Sequence, residues 1–503
     1  MTTVFTSSKP APDKGAGPVR FSIWAVALMT AAAVISLRGL PMMAKEGLTM
    51  WFYIGFATLF FLIPGAFVSA ELGGMFNTDK GGIYTWVKAA FGSSWGLAAV
   101  WLQWIQNVVW YPVVLGFTAA ALAYLIGDPN LANNHFFNFA VVLVVYWLAT
   151  FIALFGEKSY GNWSQYLFVI GTVIPGVFLM VLALVWIALG NPIELIQPAS
   201  TVAAAASASG HQVHPWLPNI SGLGDIAFLA GTVLLFAGVE VQGVRANLMN
   251  KPNRDFPEAM ILAAMIVFLL FTFGSLAVAT IIPFHELSLT AGIMQAYKAA
   301  LDLFHIGWLV PVAAALLAVG ALGQIVTWIG GPSRALLQTA ENGEIPPMFS
   351  ATNSKGAPKH ILILQAVIVS ILGCFYLVFP DPSVAFYLLS AMTVALYLVM
   401  YLLMYAAAIK LHHSQPDRER HFRIPGGMIG MWAVAGTGFV AVLFALIVSF
   451  FPPTQIPVGS PTLYTAMVIL GLVVFGGAPF VIHAFKKPNW VLLTAEQMHE
   501  ATE

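Results

Sequence analysis

Residues 34–41 read Val-Ile-Ser-Leu-Arg-Gly-Leu-Pro and place a permanent cation, a glycine and a proline inside the first long apolar run of the chain. A charged side chain in the middle of a membrane helix costs roughly 2.5–3.5 kcal/mol on insertion scales. Glycine weakens a helix through its backbone entropy, and proline weakens it through its missing N–H. The stretch therefore predicts a broken membrane helix whose cation, Arg38, has a function.

The whole chain has the composition of a membrane protein. Of its 503 residues, 59% are hydrophobic and 8% are charged, whereas an ordinary soluble domain has about 25% charged residues. A helix needs roughly 20 apolar residues to cross a bilayer core about 30 Å thick. Such runs predict an all-α integral membrane protein with twelve transmembrane helices, near residues 21–43, 50–74, 95–126, 136–156, 164–189, 223–246, 257–283, 308–338, 361–379, 383–410, 429–451 and 462–485.

The distribution of basic residues predicts the orientation. The 21 basic residues balance 21 acidic ones, so the overall charge gives no indication of a nucleic-acid partner. If the N-terminus is cytoplasmic, every Lys and Arg except Arg38, Lys45 and Lys298 falls on the cytoplasmic side. The positive-inside rule then predicts a multi-pass protein of the cell inner (plasma) membrane with both termini cytoplasmic. Its predicted parts are a tail (1–20), a ten-helix core (21–410), helices 11 and 12 (411–485) and a second tail (486–503).

The single cysteine and the absent motifs exclude several classes of site. Cys374 is the only cysteine, which rules out a disulfide within the chain and a cysteine metal site. Because it lies in an apolar run, it is predicted to be a small buried core residue. No predicted helix has a histidine pair at metal spacing, and no phosphate-binding GxxxxGK[ST] loop or GxSxG nucleophile motif occurs. We therefore expect neither an enzyme nor a bound metal or cofactor, although composition alone does not separate a carrier from a channel.

A second predicted helix is interrupted like the first. Residues 236–240 read Phe-Ala-Gly-Val-Glu and lie five spans later, the offset expected when helices 1–5 and 6–10 form two inverted repeats. Irregular backbone at membrane depth is tolerated only where it lines a cavity. The two interruptions therefore predict a substrate site that contains Ser36, Leu37, Arg38, Gly39, Phe236, Ala237, Gly238, Val239 and Glu240.

Arg38 and Glu240 carry opposite charges, one on each interrupted helix. They either bind a shared substrate or form a structural ion pair, because leaving one charge buried and unpaired is far more costly than burying two together. The sequence leaves both interpretations open.

Residues in spans 2 and 3 also have two interpretations. Glu71, near the predicted cytoplasmic end of span 2, is either a solvated or capping carboxylate or part of a gate or proton pathway. The cluster Trp-Ile-Gln-Asn-Val-Val-Trp-Tyr in span 3 contains Trp104, Asn107 and Tyr111. These residues either pack the helix or take part in gating.

Spans 8 and 10 provide the remaining candidates. Gln324 and Trp328 lie four residues apart and therefore share one face of span 8. An amide in an apolar helix needs a partner, which is either a substrate or a neighbouring helix. Tyr387 and Tyr397 in span 10 are weaker candidates.

Two segments between spans have recognisable patterns. Residues 284–307 alternate polar and apolar side chains at helical spacing, which predicts an amphipathic helix on the outer surface. This helix serves either as a lid or as packing. Residues 190–222, rich in Ala, Ser and Gly, predict a flexible loop.

Three blocks carry a resemblance to a known family. Ser-Ala-Glu-Leu at 69–72 is followed by Lys-Gly-Gly-Ile-Tyr-Thr-Trp-Val at 80–87. Gly-Val-Glu at 238–240 leads to Asn-Lys-Pro-Asn-Arg-Asp-Phe-Pro at 250–257, and Gly-Pro-Ser-Arg at 331–334 precedes Glu-Asn-Gly-Glu-Ile-Pro-Pro at 341–347. In these blocks the chain resembles the amino acid–polyamine–organocation permeases, and more narrowly their glutamate:γ-aminobutyrate antiporter group. The resemblance implies a leucine-transporter-like fold of two inverted repeats with broken helices 1 and 6, two further C-terminal helices, and a cavity between helices 1, 3, 6, 8 and 10.

The resemblance also implies a function. It is that of a secondary amino acid transporter that exchanges an amino acid for a related amine, with proton-coupled uptake through Glu240 or Glu71 as the alternative. Residues 36–39 and 236–240 would meet the substrate's amino and carboxylate groups, Phe236 would close over it, and Gln324 and Trp328 would shape the pocket. The expected partners are a small-molecule amino acid or amine and the lipid bilayer, and the sequence is compatible with a homo-oligomer. The chain departs from that group at the helix 1 break and at Gln324, where the resembling exchangers carry a glutamate.

Overall fold

The computed structural model describes residues 21–76, 82–156, 166–167, 169–195, 216–218, 220, 222–241, 249–283, 286–379, 381–420, 422–454 and 459–490. Among these residues, eleven helices are long and apolar enough to cross a membrane, and one bent pair makes a twelfth span. The bent pair, Ile23–Val34 with Leu37–Ala44, is helix 1. Helices 2 to 12 are Gly47–Met75, Ser93–Ile126, His135–Leu154, Val169–Ala188, Leu223–Val241, Arg254–Ile281, Gly307–Glu341, Lys359–Val378, Pro382–Ser414, Gly427–Ser449 and Pro461–Ala484.

The predicted all-α membrane fold with twelve spans is thus confirmed, and the helices begin and end within a few residues of the apolar runs. Several predicted segments lie outside the described residues. These are the tail 1–20, the part of the second tail at 491–503, most of the loop predicted as flexible (196–215), the end of span 6 at 242–246, and Lys80.

Short polar side chains set the beginnings of several helices. The first N–H groups of a helix have no partner within it, and an Asp, Asn or Ser at the N-cap accepts one of them. Asn134 accepts the Phe137 N–H at the start of helix 4, and Asp381 accepts the Ser383 N–H at the start of helix 10. A proline follows directly in helices 10 and 12, at a position where its missing N–H costs little.

Helices 1 and 6 are broken where the sequence predicts it. Helix 1 ends at Val34, residues 35 and 36 are extended, and the chain restarts through a 3₁₀ turn at Leu37–Gly39 with a bend of 49°. In helix 6 the regular part ends at Leu235, and Gly238 has φ +115°, a conformation that a side chain would strain. The two breaks lie five spans apart, as two inverted repeats require.

Helices 2 and 5 share a further irregularity. Each contains a π-helical turn, Thr58–Leu62 and Val169–Val173, followed directly by the sequence Ile-Pro-Gly. The proline removes one helical N–H and its ring pushes back the preceding turn, which favours the wider turn before it. Both helices belong to the first repeat, helices 1–5, where proline chemistry therefore loosens two helices of the bundle.

Helices 3, 6 and 10 form the centre of the bundle, whereas helix 12 is mostly at the periphery. The amphipathic helix predicted within 284–307 is confirmed as Gly292–Leu303. Its Tyr297 is fully buried, donates to the Pro175 carbonyl of helix 5 and stacks on Phe178. This helix is therefore fastened to the bundle.

The prediction of a buried Cys374 is wrong. The cysteine is exposed at a kink, between the end of one helical segment at Gly373 and the start of the next at Phe375. An apolar run does not distinguish the two faces of a membrane helix, because the face toward lipid is as apolar as the face toward the protein.

Candidate functional site

A small cavity of about 30 Å³ lies among helices 1, 3, 6, 8 and 10, the five helices that the resemblance names. It has space for little more than a water molecule. The lining consists of Ala33, Val34, Ser36, Arg38, Gln106, Asn107, Trp110, Leu234, Leu235, Ala237, Gln324, Trp328 and Tyr397.

Among the lining residues that the structure describes, Arg38 is the only one with a charged side chain. It is 5% exposed, and its guanidinium lies over the Trp110 ring at 5.4 Å from the centroid, which is cation–π distance. Among the described residues, its Nε has no hydrogen-bond partner and no carboxylate is within ion-pair distance of it. A buried cation without a counter-ion is ready to accept an anionic group.

Helix 8 holds the break of helix 1. The Gln324 Nε2 donates to the Ile35 carbonyl at 3.2 Å, and its Oε1 accepts from the Ser36 hydroxyl at 3.2 Å. Both bonds go to the extended link between the two halves of helix 1. The amide partner that the sequence left open is therefore a neighbouring helix.

Helix 10 holds the break of helix 6. The Gly238 N–H donates to the Tyr401 hydroxyl at 3.0 Å, and Tyr401 in turn donates to the Glu240 Oε2. The Oε1 of the same carboxylate accepts from Tyr397 and, at 3.1 Å, from the Gln103 Nε2 of helix 3. Three neutral donors from two helices thus satisfy the Glu240 carboxylate.

Arg38 and Glu240 do not form an ion pair in the structure. No salt bridge joins them within the described ranges, and Glu240 does not line the cavity that contains Arg38. Tyr397 separates the two, because it lines the cavity and also donates to Glu240. In this state the carboxylate is satisfied and the guanidinium is not.

Helix 3 contributes two amide side chains to the cavity lining. The Gln106 Nε2 and the Asn107 Nδ2 both donate to the Gln103 carbonyl, at 3.2 and 2.9 Å. Because only the amide nitrogens can donate to a carbonyl, the amide oxygens remain available as acceptors, and both residues line the cavity. The cavity therefore has a cationic donor on helix 1 and neutral acceptors on helix 3.

The structure brings together only some of the predicted site residues. Ser36, Arg38, Ala237, Gln324, Trp328 and Asn107 line the cavity, and Gly238 lies against the Trp328 ring, which is 3.1 Å from where a Cβ would be. Leu37 packs toward Gly176, and Phe236 packs on Phe271 at 5.1 Å between ring centroids. Gly39 lies against Leu235, where any side chain would overlap, and Val239 is buried near Gly65.

The residues predicted as gating or proton-linked are dispersed. The Trp104 Nε1 donates to the Gln365 Oε1 of helix 9 at 3.0 Å, and Tyr111 packs on Tyr146. Tyr387 donates to the Ala227 carbonyl, and its ring stacks on Tyr464. Among these candidates, only Asn107 reaches the cavity.

Sequence reasoning missed Gln103 and Tyr401. Gln103, Gln106, Asn107 and Trp110 follow helical spacing on one face of helix 3, and Tyr397 and Tyr401 lie one turn apart on helix 10. Those patterns could have predicted that Gln103 shares a face with the other polar residues of helix 3, and that Tyr401 shares a face with Tyr397. Which carboxylate they bind depends on the packing of three helices, which spacing along one helix does not show.

Glu71 is neither solvated nor a helix cap. It is 2% exposed, and it accepts from the His412 Nδ1 at 2.8 Å and from the Ile424 N–H at 2.7 Å. The Arg420 Nε lies 3.1 Å from the same carboxylate as an ion pair, without hydrogen-bond geometry. The cluster fastens the segment after helix 10 to the end of helix 2.

The same segment also lines a groove of about 580 Å³, formed by residues 416–420 and Arg423. This groove is open to solvent and is separate from the cavity.

Glu344 is the centre of a second buried cluster, in the segment after helix 8. It accepts from Tyr84 and Ser93 and forms ion pairs with Lys486 at 2.7 Å and Lys88 at 3.6 Å. Burial by itself raises the pKa of Glu344, but the hydrogen bonds of Lys486 and Ser93 and the charges of Lys486 and Lys88 outweigh it, so the pKa is lowered from its ordinary value. The cluster joins helices 3, 8 and 12.

Replacing Glu344 by Gln is expected to destabilise the protein by about 1–3 kcal/mol at pH 7, because several donors lose a charged acceptor. A carboxyl whose pKa is lower in the folded than in the unfolded protein stabilises the fold above its unfolded pKa of about 4.3. This contribution is lost as the pH falls through the lower folded pKa. The difference in thermal unfolding between wild type and E344Q in detergent should therefore be largest near pH 7 and smaller at pH 3.

The exposed Glu419 provides a control, since E419Q should leave thermal unfolding unchanged at both pH values. A difference between wild type and E344Q that persists undiminished at pH 3 would contradict the assignment of a charged role to Glu344.

Residues 21–475 match the family model described as amino acid permease. The chain belongs to the amino acid permease family. This permease is 36% identical to an uncharacterized transporter of Legionella pneumophila, over 92% of its own chain and 96% of the relative. It is 30% identical to a glutamate/gamma-aminobutyrate antiporter of Lactococcus lactis (92% and 90% covered) and 22% identical to a probable agmatine/putrescine antiporter of the same species (87% and 89% covered).

Family membership and the twelve spans make this permease a multi-pass membrane transporter of amino acids and not an enzyme. The cavity among helices 1, 3, 6, 8 and 10 is the candidate substrate site, because a pocket with a few convergent polar groups is the default site hypothesis for a transporter bundle.

Proposed function

We propose that this permease is an antiporter that exchanges an amino acid for a related metabolite that also carries a carboxylate. The observation that carries the proposal is the buried Arg38 guanidinium in the cavity lining, without a counter-ion among the described residues. A planar guanidinium binds a carboxylate through two parallel N–H bonds. Glutamate and γ-aminobutyrate, the substrates named for the Lactococcus lactis relatives, both carry this group, whereas agmatine and putrescine do not.

The other half of the substrate would meet helix 3. The amide oxygens of Gln106 and Asn107 are acceptors on two side chains that line the same cavity as Arg38. A substrate ammonium supplies donors for these oxygens. An amino acid can therefore bind Arg38 through its carboxylate and the helix 3 amides through its ammonium group. A substrate with only amines leaves the guanidinium without a partner.

The unpaired guanidinium also favours exchange over one-way uptake. Closing the cavity over an empty site leaves a desolvated cation, and the penalty for such a charge is several kcal/mol. A substrate carboxylate supplies the missing counter-ion, so closure over a substrate is easier than closure over an empty site. The carrier would then return mainly with a second substrate bound. With the basic residues inside, this exchange takes place across the inner membrane with both termini in the cytoplasm.

Counterflow in proteoliposomes tests the proposal, with radiolabelled L-glutamate and γ-aminobutyrate as probes and putrescine as the control without a carboxylate. We expect saturable uptake of a carboxylate probe only into vesicles that are preloaded with unlabelled glutamate or γ-aminobutyrate, and no uptake of putrescine. Uptake into empty vesicles driven by a pH gradient would instead establish the proton-coupled alternative. A non-saturating ohmic current would indicate a channel.

A further inference from the structure

Helix 8 contacts both broken helices through two residues one turn apart. Gln324 bonds to the link of helix 1, and the Trp328 ring covers Gly238 in the break of helix 6. Residues four apart lie on one face of a helix. One face of helix 8 is therefore the surface against which both breaks are positioned.

The Gln324 amide uses both of its ends for this purpose. Ile35 follows the last residue of the first half-helix, and Ile35 and Ser36 are both extended. Carbonyls at the end of a helix have no partner within it, and a buried carbonyl without a partner is costly. The Gln324 Nε2 satisfies the Ile35 carbonyl, while its Oε1 holds the Ser36 hydroxyl of the next residue.

We propose that Gln324 is a positioning residue, which fixes the extended link of helix 1 and thereby the location of Arg38, and is not a ligand of the substrate. The link needs one donor and one acceptor in the same side chain, and a neutral amide supplies both regardless of pH. The consequence for substrate affinity rests on the proposed function, because there Arg38 binds the carboxylate. The effect of Gln324 on the conformation of the link does not depend on the proposed function.

The groups that face Gln324 set the pH behaviour of any charged replacement. Arg38 of helix 1 and Tyr397 of helix 10 line the same cavity, and Glu240 of helix 6 lies behind Tyr397. Helix 3 contributes the uncharged amides of Gln106 and Asn107. Burial favours the protonated form of a carboxyl at position 324, whereas the nearby Arg38 favours the ionised form. Because the two effects oppose each other, we expect such a carboxyl to become protonated between pH 8 and pH 5.

Two variants separate the donor from the acceptor. In Gln324→Leu both bonds are lost at every pH. In Gln324→Glu the ionised carboxylate only accepts and repels the Ile35 carbonyl, whereas the protonated acid donates through its O–H and accepts through its other oxygen. Only Gln324→Glu should therefore recover the link on acidification.

Hydrogen exchange of backbone amides in peptides that cover residues 34–40 measures the link directly, on purified full-length protein without substrate. We expect the Leu variant to lose about tenfold in protection factor at pH 8 and at pH 5, as the loss of two net hydrogen bonds implies. The Glu variant should lose as much at pH 8 and return toward the wild-type protection factor at pH 5. The measured exchange rates are divided into the intrinsic rates for each pH, so that protection factors at the two pH values can be compared.

Gln365→Glu is the matched control. Gln365 of helix 9 is also buried, and its Oε1 accepts from Trp104 and Ser333, while its Nε2 has no partner among the described residues. A carboxylate can therefore make the same bonds, and protection at 34–40 should not become pH-dependent. Wild-type protection at 34–40 in Gln324→Leu, or a Gln324→Glu profile that parallels the wild type, would overturn the proposal.

Counterflow then connects the link to transport. With labelled glutamate or γ-aminobutyrate, Gln324→Glu should show a KM raised at least tenfold at pH 8 and lowered again at pH 5. If wild type shows no counterflow, the proposed function fails, while the hydrogen-exchange result on the link stands. If wild type transports substrate by counterflow but hydrogen exchange at residues 34–40 is unaltered in the variants, only the role of Gln324 fails.

Discussion

Replacing Arg38 by methionine is expected to abolish substrate binding and, at the same time, to stabilise the empty protein. The guanidinium is buried over Trp110 and has no counter-ion among the described residues. Methionine keeps a similar length without the charge, so the empty fold should gain about 1–3 kcal/mol. Two charge-assisted hydrogen bonds to a carboxylate contribute about 3 kcal/mol or more, so affinity should fall at least 100-fold. Thermal unfolding in detergent and counterflow measure the two effects.

The sign of the stability change decides between the two interpretations that the sequence left open. If Arg38 were the structural partner of Glu240, Arg38→Met would leave a buried carboxylate unpaired and destabilise the protein by about 3–5 kcal/mol. Arg38→Lys is the matched control, because it keeps the charge but not the planar fork. We expect Arg38→Lys to unfold near the wild-type temperature and to bind substrate more weakly.

Replacing Gly320 by alanine is expected to destabilise the protein by about 3 kcal/mol, through overlap with the backbone of helix 5. A Cβ at Gly320 would lie 2.7 Å from the Gly171 Cα and closer still to its carbonyl. Backbone atoms cannot rotate aside as a flexible side chain can, so helices 5 and 8 have to separate. Gln324 lies one turn further along helix 8, so its bonds to the helix 1 link should weaken as well, and counterflow should fall at least tenfold.

Gly331→Ala is the control on the same helix. A Cβ at Gly331 has nothing within 4 Å, and alanine is the better helix former by roughly 1 kcal/mol. The variant should therefore be as stable as wild type or slightly more stable. Equal thermal stability of Gly320→Ala and Gly331→Ala would show that the crossing of helices 5 and 8 adapts to the extra methyl group.

The fold could be predicted because its main determinants are local. A bilayer requires about 20 apolar residues per helix, and the runs in this sequence therefore specify the twelve spans. Glycine next to a charge within such a run is unfavourable for a helix, which located the breaks at 36–39 and 236–240. Cys374 shows the limit of the same reasoning, because an apolar run does not indicate which face lies toward lipid.

The site could be predicted only where residues lie on the breaks or share a helix face. Ser36, Arg38 and Ala237 reach the cavity because they lie at the breaks, and Gln324 and Trp328 lie together because they are one turn apart. Relations between helices could not be predicted. The two hydroxyls on helix 10 that satisfy Glu240 depend on the rotation and depth of that helix, and neither follows from spacing in the sequence.

Arg38 is a charge that belongs to the carrier and not to its cargo, and this gives the proposed exchange a definite electrical character. Amino acid and product would each bring one carboxylate to the same guanidinium, so any net current comes from the remaining charges of the two substrates. Moving one elementary charge through a membrane potential of 100 mV is worth about 2.3 kcal/mol. Exchange of two zwitterions would be electroneutral and indifferent to voltage, whereas exchange of an anionic amino acid for a zwitterion would be electrogenic.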